Sequence, residues 1–257
     1  MQRISNKRLN MLSKSQISFV NALHQKKYRK EHSLFIAEGI KSITEFLDSD
    51  YKVDTIFCTS EYLQKFSKIT QKVKLLDVSE GELKKISTLI TPQHALALIK
   101  VPEKTNIKSE SFKGKLTLAL DGVQDPGNLG TIIRTADWFG FSDIVCSLDT
   151  VEAYNPKVVQ ATMGSLSRMN IYYTELSELL EKCKFPVYGA LLNGKNVYEV
   201  DFASEGFLVL GNEGNGISAE IMPKITQAVT IPRFGEAESL NVAISAAVLC
   251  SEIKRKS

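Results

Sequence analysis

From Leu116 onward, short apolar runs alternate with stretches of helical periodicity, and this alternation constrains the fold more than any other feature of the chain. The runs are Leu116 to Leu120, Ile144 to Ser147, Val187 to Leu192, Phe207 to Leu210 and Ala228 to Ile231. After the first comes a helical pattern at Leu129, Ile132, Ile133, Ala136 and Phe139 that stops at Gly140. Strands separated in this way by helices pair in parallel, so the expected fold is α/β with a mostly parallel sheet covered on both faces.

The first hundred residues alternate too, on a smaller scale. Ser15 to His24 carries one apolar helical face (Ile17, Val20, Leu23) and is followed by a basic turn. Strand-like Leu34 to Ala37, Thr55 to Cys58, Val73 to Leu76 and Ala95 to Val101 are interleaved with helix-like Gly39 to Leu47 and Glu80 to Leu89. Residues 102–115 are polar, without apolar periodicity, and read as a linker. The expected division is thus a small α/β domain over 1–101, a linker over 102–115 and a larger α/β domain over 116–257. No internal repeat or low-complexity tract interrupts it.

The chain has 257 residues with 32 Lys plus Arg against 29 Asp plus Glu, a net charge of +3 that conceals an uneven distribution. Residues 1–115 hold 21 basic and 12 acidic side chains, and the remainder 11 and 17. Residues 1–30 contain Arg3, Lys7, Arg8, Lys14, Lys26, Lys27, Arg29 and Lys30 and no acidic residue, which points to a polyanionic partner. A hydrophobic fraction of 43% excludes a disordered chain. The apolar stretch Val242 to Cys250 is far short of the roughly 20 residues that span a bilayer. No apolar region follows the basic start, so no secretory signal is expected. Cys58, Cys146, Cys183 and Cys250 lie far apart, with only His24, His32 and His94 to complete a metal site, so no metal is expected and the thiols read as buried, reduced groups of a cytoplasmic protein.

Three segments of the acidic half could carry chemistry, each at a strand end where open α/β sheets place their ligands. The first is Asp121 to Gly130, whose Asp125 or Asn128 can cap the following helix, with Arg134 about one and a half turns into it. The second, Gly211-Asn-Glu-Gly-Asn-Gly216, follows the strand ending at Leu210. Its glycine spacing is not the dinucleotide fingerprint, which argues against a nicotinamide- or flavin-dependent oxidoreductase, and it signals close backbone approach to a ligand or to another strand. The third runs from Ile231 to Asn241 and contains Arg233, Ser239 and Asn241; Ser239 is placed to cap the apolar helix that follows, which must be buried within the domain or in a subunit interface.

In order, these segments resemble the three motifs of the SpoU/TrmH branch of the SPOUT RNA methyltransferases. The likeness rests on Asn128, Gly130 and Arg134, then Gly211, Glu213 and Gly216, then Ile231, Pro232, Ser239, Leu240 and Asn241. The run Tyr28-Arg29 with Phe35 to Gly39 resembles, more loosely, the small substrate-binding domain of ribosomal RNA members. The resemblance implies a trefoil-knotted domain that binds S-adenosylmethionine, works as a homodimer and methylates a ribose 2′-hydroxyl. It places the cofactor at Leu210, Gly211, Ile231, Leu240 and Asn241, and the catalytic set at Arg134, Asn128, Glu213, Ser239 and Asn241. Base-methylating SPOUT enzymes lack the Asn128 and Arg134 pairing. Gln160 stands where many relatives have a basic residue.

The family proposal gives Arg134 the role of general base, but a guanidinium, normally a fixed cation, suits stabilisation of an oxyanion better. With no His or Cys in any motif, a covalent mechanism is not expected. Lys26, Lys27, Tyr28, Arg29 and Lys30, between His24 and His32, combine phosphate-gripping cations with an aromatic ring that can stack an unpaired base. The extra N-terminal domain favours ribosomal over transfer RNA as the partner. A transfer RNA methyltransferase and a catalytically silent RNA-binding protein are the alternatives.

Overall fold

A computed structural model describes residues 11–69, 73–103 and 107–255; Arg3, Lys7 and Arg8 of the basic start lie outside them. In chain order the first elements are α1 (Lys14–Ala22), α2 (Lys26–His32), β1 (Leu34–Glu38), α3 (Ile40–Leu47), β2 (Val53–Cys58), α4 (Ser60–Ile69), β3 (Lys74–Asp77), α5 (Glu80–Ile86) and β4 (Ala95–Lys100). Next come β5 (Leu116–Leu120), α6 (Pro126–Trp138), β6 (Asp143–Cys146), α7 (Pro156–Thr162), β7 (Asn170–Tyr173) and α8 (Leu176–Glu181). The chain closes with β8 (Val187–Asn196), β9 (Gly206–Leu210), β10 (Gln227–Thr230) and α9 (Val242–Arg255). There are two compact units: the first takes residues up to Pro102 together with Tyr154–Ser167, the second Glu103–Ala153 and residues from Arg168 on.

The sheet of the first unit has the order β1-β4-β2-β3, with β4 antiparallel to both neighbours and β2 parallel to β3. Alternation along β1 sends successive side chains into different layers. Phe35 enters an aromatic cluster with Phe46, Tyr51 and Tyr154, ring centroids 4.9–5.9 Å away. Ile36 joins the opposite layer with Val20, Leu23, Phe57, Leu83, Leu96 and Leu98. Each such fully buried side chain contributes roughly 1.5–3 kcal/mol. Helix α1 begins with a capping box between Ser13 and Gln16, and α5 with one between Ser79 and Glu82.

The stretch expected to be a basic turn is instead the helix α2, closed by Ser33 at φ 50°. Arg29 ties it down: it is 2% exposed, and its Nη1 donates to the carbonyls of Leu23 (3.0 Å) and His24 (2.9 Å). Its expected phosphate contact is therefore corrected, since a guanidinium held inside the fold is a strut for the α1–α2 connection and offers no charge to a ligand. Lys26, Lys27 and Lys30 are exposed, while Tyr28 is half-buried against the core with the Lys27 ammonium 5.6 Å from its ring centre.

The second unit is built on a six-stranded sheet of order β10-β8-β9-β5-β6-β7 in which every pairing is parallel, the architecture the alternation predicts. Helix α6 stops through paired bonds, Gly140 N to Asp137 O (3.1 Å) and Phe141 N to Ala136 O (2.9 Å), with Gly140 at φ 70°. Within the stretch read as a linker, Ser109–Phe112 forms a 3-10 turn, and Phe112 is buried against Ala119, Val145 and Phe207. Buried Cys58, Cys146 and Cys250 are free thiols whose pKa burial raises, to about 11 for Cys58 and about 12 for Cys250. Among the described residues no helix is long and apolar enough to cross a membrane, and no group of three His, Cys, Asp or Glu side chains is placed to hold a metal.

Candidate active site at the strand ends of the second unit

Strand β5 delivers Asp121 and Gly122 to the edge of the sheet. Asp121 Oδ2 accepts from Ser218 N at 2.7 Å. Gly122 adopts φ 69°, a left-handed conformation that favours glycine, and an added Cβ would press to within 3.1 Å of Asp149 Oδ2. Its N–H donates to Ser147 Oγ (2.8 Å), and its carbonyl accepts from Asn212 Nδ2 (2.7 Å).

The turn then enters α6. Of the two possible caps it is Asp125 that serves, accepting from Asn128 N at 2.8 Å, with Pro126 in the first turn. This leaves the Asn128 side chain free for other work. Its Nδ2 donates to Glu213 Oε1 (2.8 Å), and its Oδ1 accepts from Asn241 Nδ2 (2.9 Å). Asn241 Oδ1 in turn accepts from Ala243 N (2.9 Å) and Ile244 N (3.3 Å), which makes Asn241 the cap of α9 in place of the expected Ser239. One exposed chain of hydrogen bonds, Asn241–Asn128–Glu213, thus unites three segments up to 113 residues apart in sequence.

The glycine-rich loop after β9 folds back on itself. Asn212 and Gly216 exchange two backbone hydrogen bonds (2.8 and 3.0 Å), and a Cβ on Gly211 would lie 2.2 Å from the Gly216 carbonyl carbon. Of the two readings of this glycine, approach to a neighbouring chain segment is the one the geometry demands. Asn212, not among the candidate residues, holds the loop: its Oδ1 accepts from Gly214 N (2.9 Å) and Asn215 N (3.0 Å) while its Nδ2 reaches Gly122. An asparagine inside a glycine-rich turn is itself a signal for such side-chain to backbone bonds.

Arg134 and Ser239 are not drawn into the chain of hydrogen bonds. Both are exposed, and neither side chain makes a hydrogen bond or ion pair among the described residues. Residues 233–241 are exposed throughout, with Arg233 Nη1 donating to Ala237 O at 3.3 Å. Leu210 is buried, Gly211 and Ile231 are half-buried, and Leu240 is 50% exposed. Every histidine precedes residue 95, so no imidazole serves this site from its own unit.

An all-parallel sheet whose strand ends gather polar side chains from three separated loops defines a ligand-binding α/β enzyme scaffold. The family model described as the SpoU rRNA Methylase family matches residues 115–251, and the one described as an MRM3-like substrate binding domain matches residues 14–97. The chain is 33% identical to the 23S rRNA (guanosine(2553)-2′-O)-methyltransferase RlmP of Bacillus subtilis, over 90% of this chain and 93% of that one. Among solved structures, a TrmH-family protein from Porphyromonas gingivalis is 40% identical with a TM-score of 0.87, covering 96% of this chain and all of that one. An AdoMet-bound rRNA methyltransferase from Sinorhizobium meliloti is 29% identical with a TM-score of 0.85, covering 95% and 97%. The chain belongs to the SpoU rRNA methylase family.

Proposed function

We propose that the protein transfers the methyl group of S-adenosylmethionine to a ribose 2′-hydroxyl of ribosomal RNA. The observation that carries this reading is the Asn241–Asn128–Glu213 chain, which makes one site of the three motif segments. The residues fit the cofactor. The main-chain N–H groups of Ile231 and Leu240 make no hydrogen bond within the chain among the described residues, and their side chains offer apolar walls; free donors between apolar walls suit an adenine ring. When bound, S-adenosylmethionine supplies an electrophilic methyl group on a sulfonium centre.

The chain's own residues then have defined tasks. The Asn128 amide, held by Asn241 on one side and Glu213 on the other, is fixed in orientation. Arg134, a cation with no side-chain partner among the described residues, grips the target phosphate and stabilises the negative charge that develops as the 2′-hydroxyl loses its proton. Ser239 and Asn241 border the segment that would hold the methionine end, and Leu210 backs it. Ribosomal RNA is favoured over transfer RNA because an Aquifex tRNA-modifying TrmH/SpoU enzyme aligns with only 56% of this chain, whereas the Sinorhizobium rRNA enzyme aligns with 95%.

A homodimer, a trefoil crossing of the second unit and a cytoplasmic setting belong to the same proposal. Trp138 on α6 and Ile244 on α9 are 84% and 52% exposed, large apolar surfaces suited to a second copy. The test is incubation with labelled S-adenosylmethionine and unmodified total RNA, followed by digestion to nucleosides. Label in a 2′-O-methyl nucleoside mapping to one ribosomal RNA position is the expected result; label on a base, or none, overturns the proposal.

A further inference from the structure

One cavity of the first unit lies far in sequence from the motif residues. It has a volume of about 380 Å³ and is lined by Thr59, Gly81, Leu83, Lys84, Pro92 and His94, with Glu80 and Thr91 beside them. That size falls within the range of small-ligand sites. Three observations bear on its content.

His94 sits at φ 63°, a left-handed conformation uncommon outside glycine, closed by a tight turn in which Ala95 N donates to Gln93 O at 2.8 Å. Strain of this kind at an aromatic side chain lining a cavity is a marker of function. The imidazole is kept in place by Tyr62, with centroids 5.0 Å apart and planes at 31°. Thr59 lines the cavity as a residue, while its Oγ1 is turned away from solvent and has no hydrogen-bond partner among the described residues. A buried hydroxyl left without a partner is costly, and a turn of the Thr59 side chain toward a ligand polar atom would satisfy it.

We infer that this cavity receives one unpaired nucleobase of the RNA substrate. The inference rests on the assignment of RNA as substrate. A flat ring fits against the face of His94 that Tyr62 does not cover, Leu83 and Pro92 supply apolar contact, and the Thr59 hydroxyl, once turned into the cavity, supplies a donor and acceptor for the base edge. Lys84, one turn from Glu80 along α5, sets a cation beside the mouth for a flanking phosphate. The excess of basic residues over the first 115 positions draws a polyanion to this unit. Single-stranded RNA is held by this combination of stacking and charge, whereas a duplex has no base to offer.

Gly81 provides a clean plug. It lies inside α5, has no left-handed φ, and a Cβ there would meet nothing within 4 Å, so the side chain of Gly81→Leu starts from open space beside the cavity. His94→Gly removes the ring while suiting the left-handed backbone. In the full-length protein, both variants should melt as the wild type does and bind S-adenosylmethionine unchanged. With unmodified ribosomal RNA as substrate, KM should rise about tenfold, the lower part of what one stacked base supplies, with kcat at saturating RNA preserved. An unchanged KM in the folded variants, or a fall in kcat alone, overturns the inference.

Anisotropy with labelled single strands of about 12 nucleotides, against duplexes of the same sequence, needs no turnover. Weaker single-strand binding by both variants supports the cavity even if the wild type methylates no RNA, an outcome that would sink the functional proposal alone. Equal binding by wild type and variants overturns the cavity.

Discussion

Arg134 stands on α6 outside the hydrogen bonds that join Asn128, Glu213 and Asn241, exposed and without a side-chain partner among the described residues. A cation left free in this way is available to substrate, and its removal should disturb little of the fold. Arg134→Ala is expected to lower single-turnover methyl transfer by about a hundredfold or more, while calorimetry finds S-adenosylmethionine binding unchanged; near-normal transfer would remove Arg134 from the mechanism. His24 supports a prediction of another kind. Burial lowers its pKa from 6.5, with the nearby Arg29 adding to the effect, while its bond to the Ile86 carbonyl and the field of Glu38 oppose it. The folded state therefore binds this proton less readily than the unfolded state. The stability so gained is complete above the ordinary value and is lost as pH falls through the lowered one. Melting temperature should drop as pH falls below the ordinary value of 6.5, and drop less in His24→Gln; parallel curves for the two proteins would exclude His24 as the source.

At the level of elements, the loop after β9 is the least tolerant of change. Gly211→Ala would drive a methyl group into the backbone of Gly216 and Ile217, which should cost about 2–3 kcal/mol and separate Glu213 from Asn128. Denaturant unfolding measures the first effect and loss of methyl transfer the second; Gly81→Ala, in open space, serves as the control. The central strands and α6 are legible in the sequence because apolar runs and a 3.6-residue period report burial directly. Helix α2 is not, since its Lys26, Lys27 and Lys30 carry no apolar stripe and its anchor is a buried arginine that reads in sequence as one more surface charge. Strand β7 escapes notice because its exposed Asn170 and half-buried Ile171 to Tyr173 lack the continuous apolar character of the central strands. Phe112 is alone in a polar stretch, and one apolar residue sets up no period. Asn128 and Asn241 are readable as polar residues beside helices, but which one caps and which one reaches across depends on a fold that brings distant segments together.

Across the whole molecule, charge and packing overlap at the N-terminal end in a way that dictates how RNA binding should be tested. Deleting residues 1–30 would remove Val20, Leu23 and Arg29 from the interior along with the surface lysines. The informative variant is the exposed triple Lys26→Glu, Lys27→Glu, Lys30→Glu. It should fold normally, weaken RNA binding, and flatten the dependence of log affinity on log salt by roughly 0.7 for each single-strand phosphate that is no longer neutralised; an unaltered slope would exclude these lysines from the interface. The first unit also has an unusual calendar. Its aromatic cluster is completed by Tyr154, and α7 lies against β1, yet both belong to a stretch that leaves the ribosome well after β4. At about 5–20 residues per second, the nascent sheet waits roughly 3–13 s for the piece that covers Phe35. Until residue 167 has emerged, the growing chain carries an open aromatic face, and chaperone demand should peak in that interval.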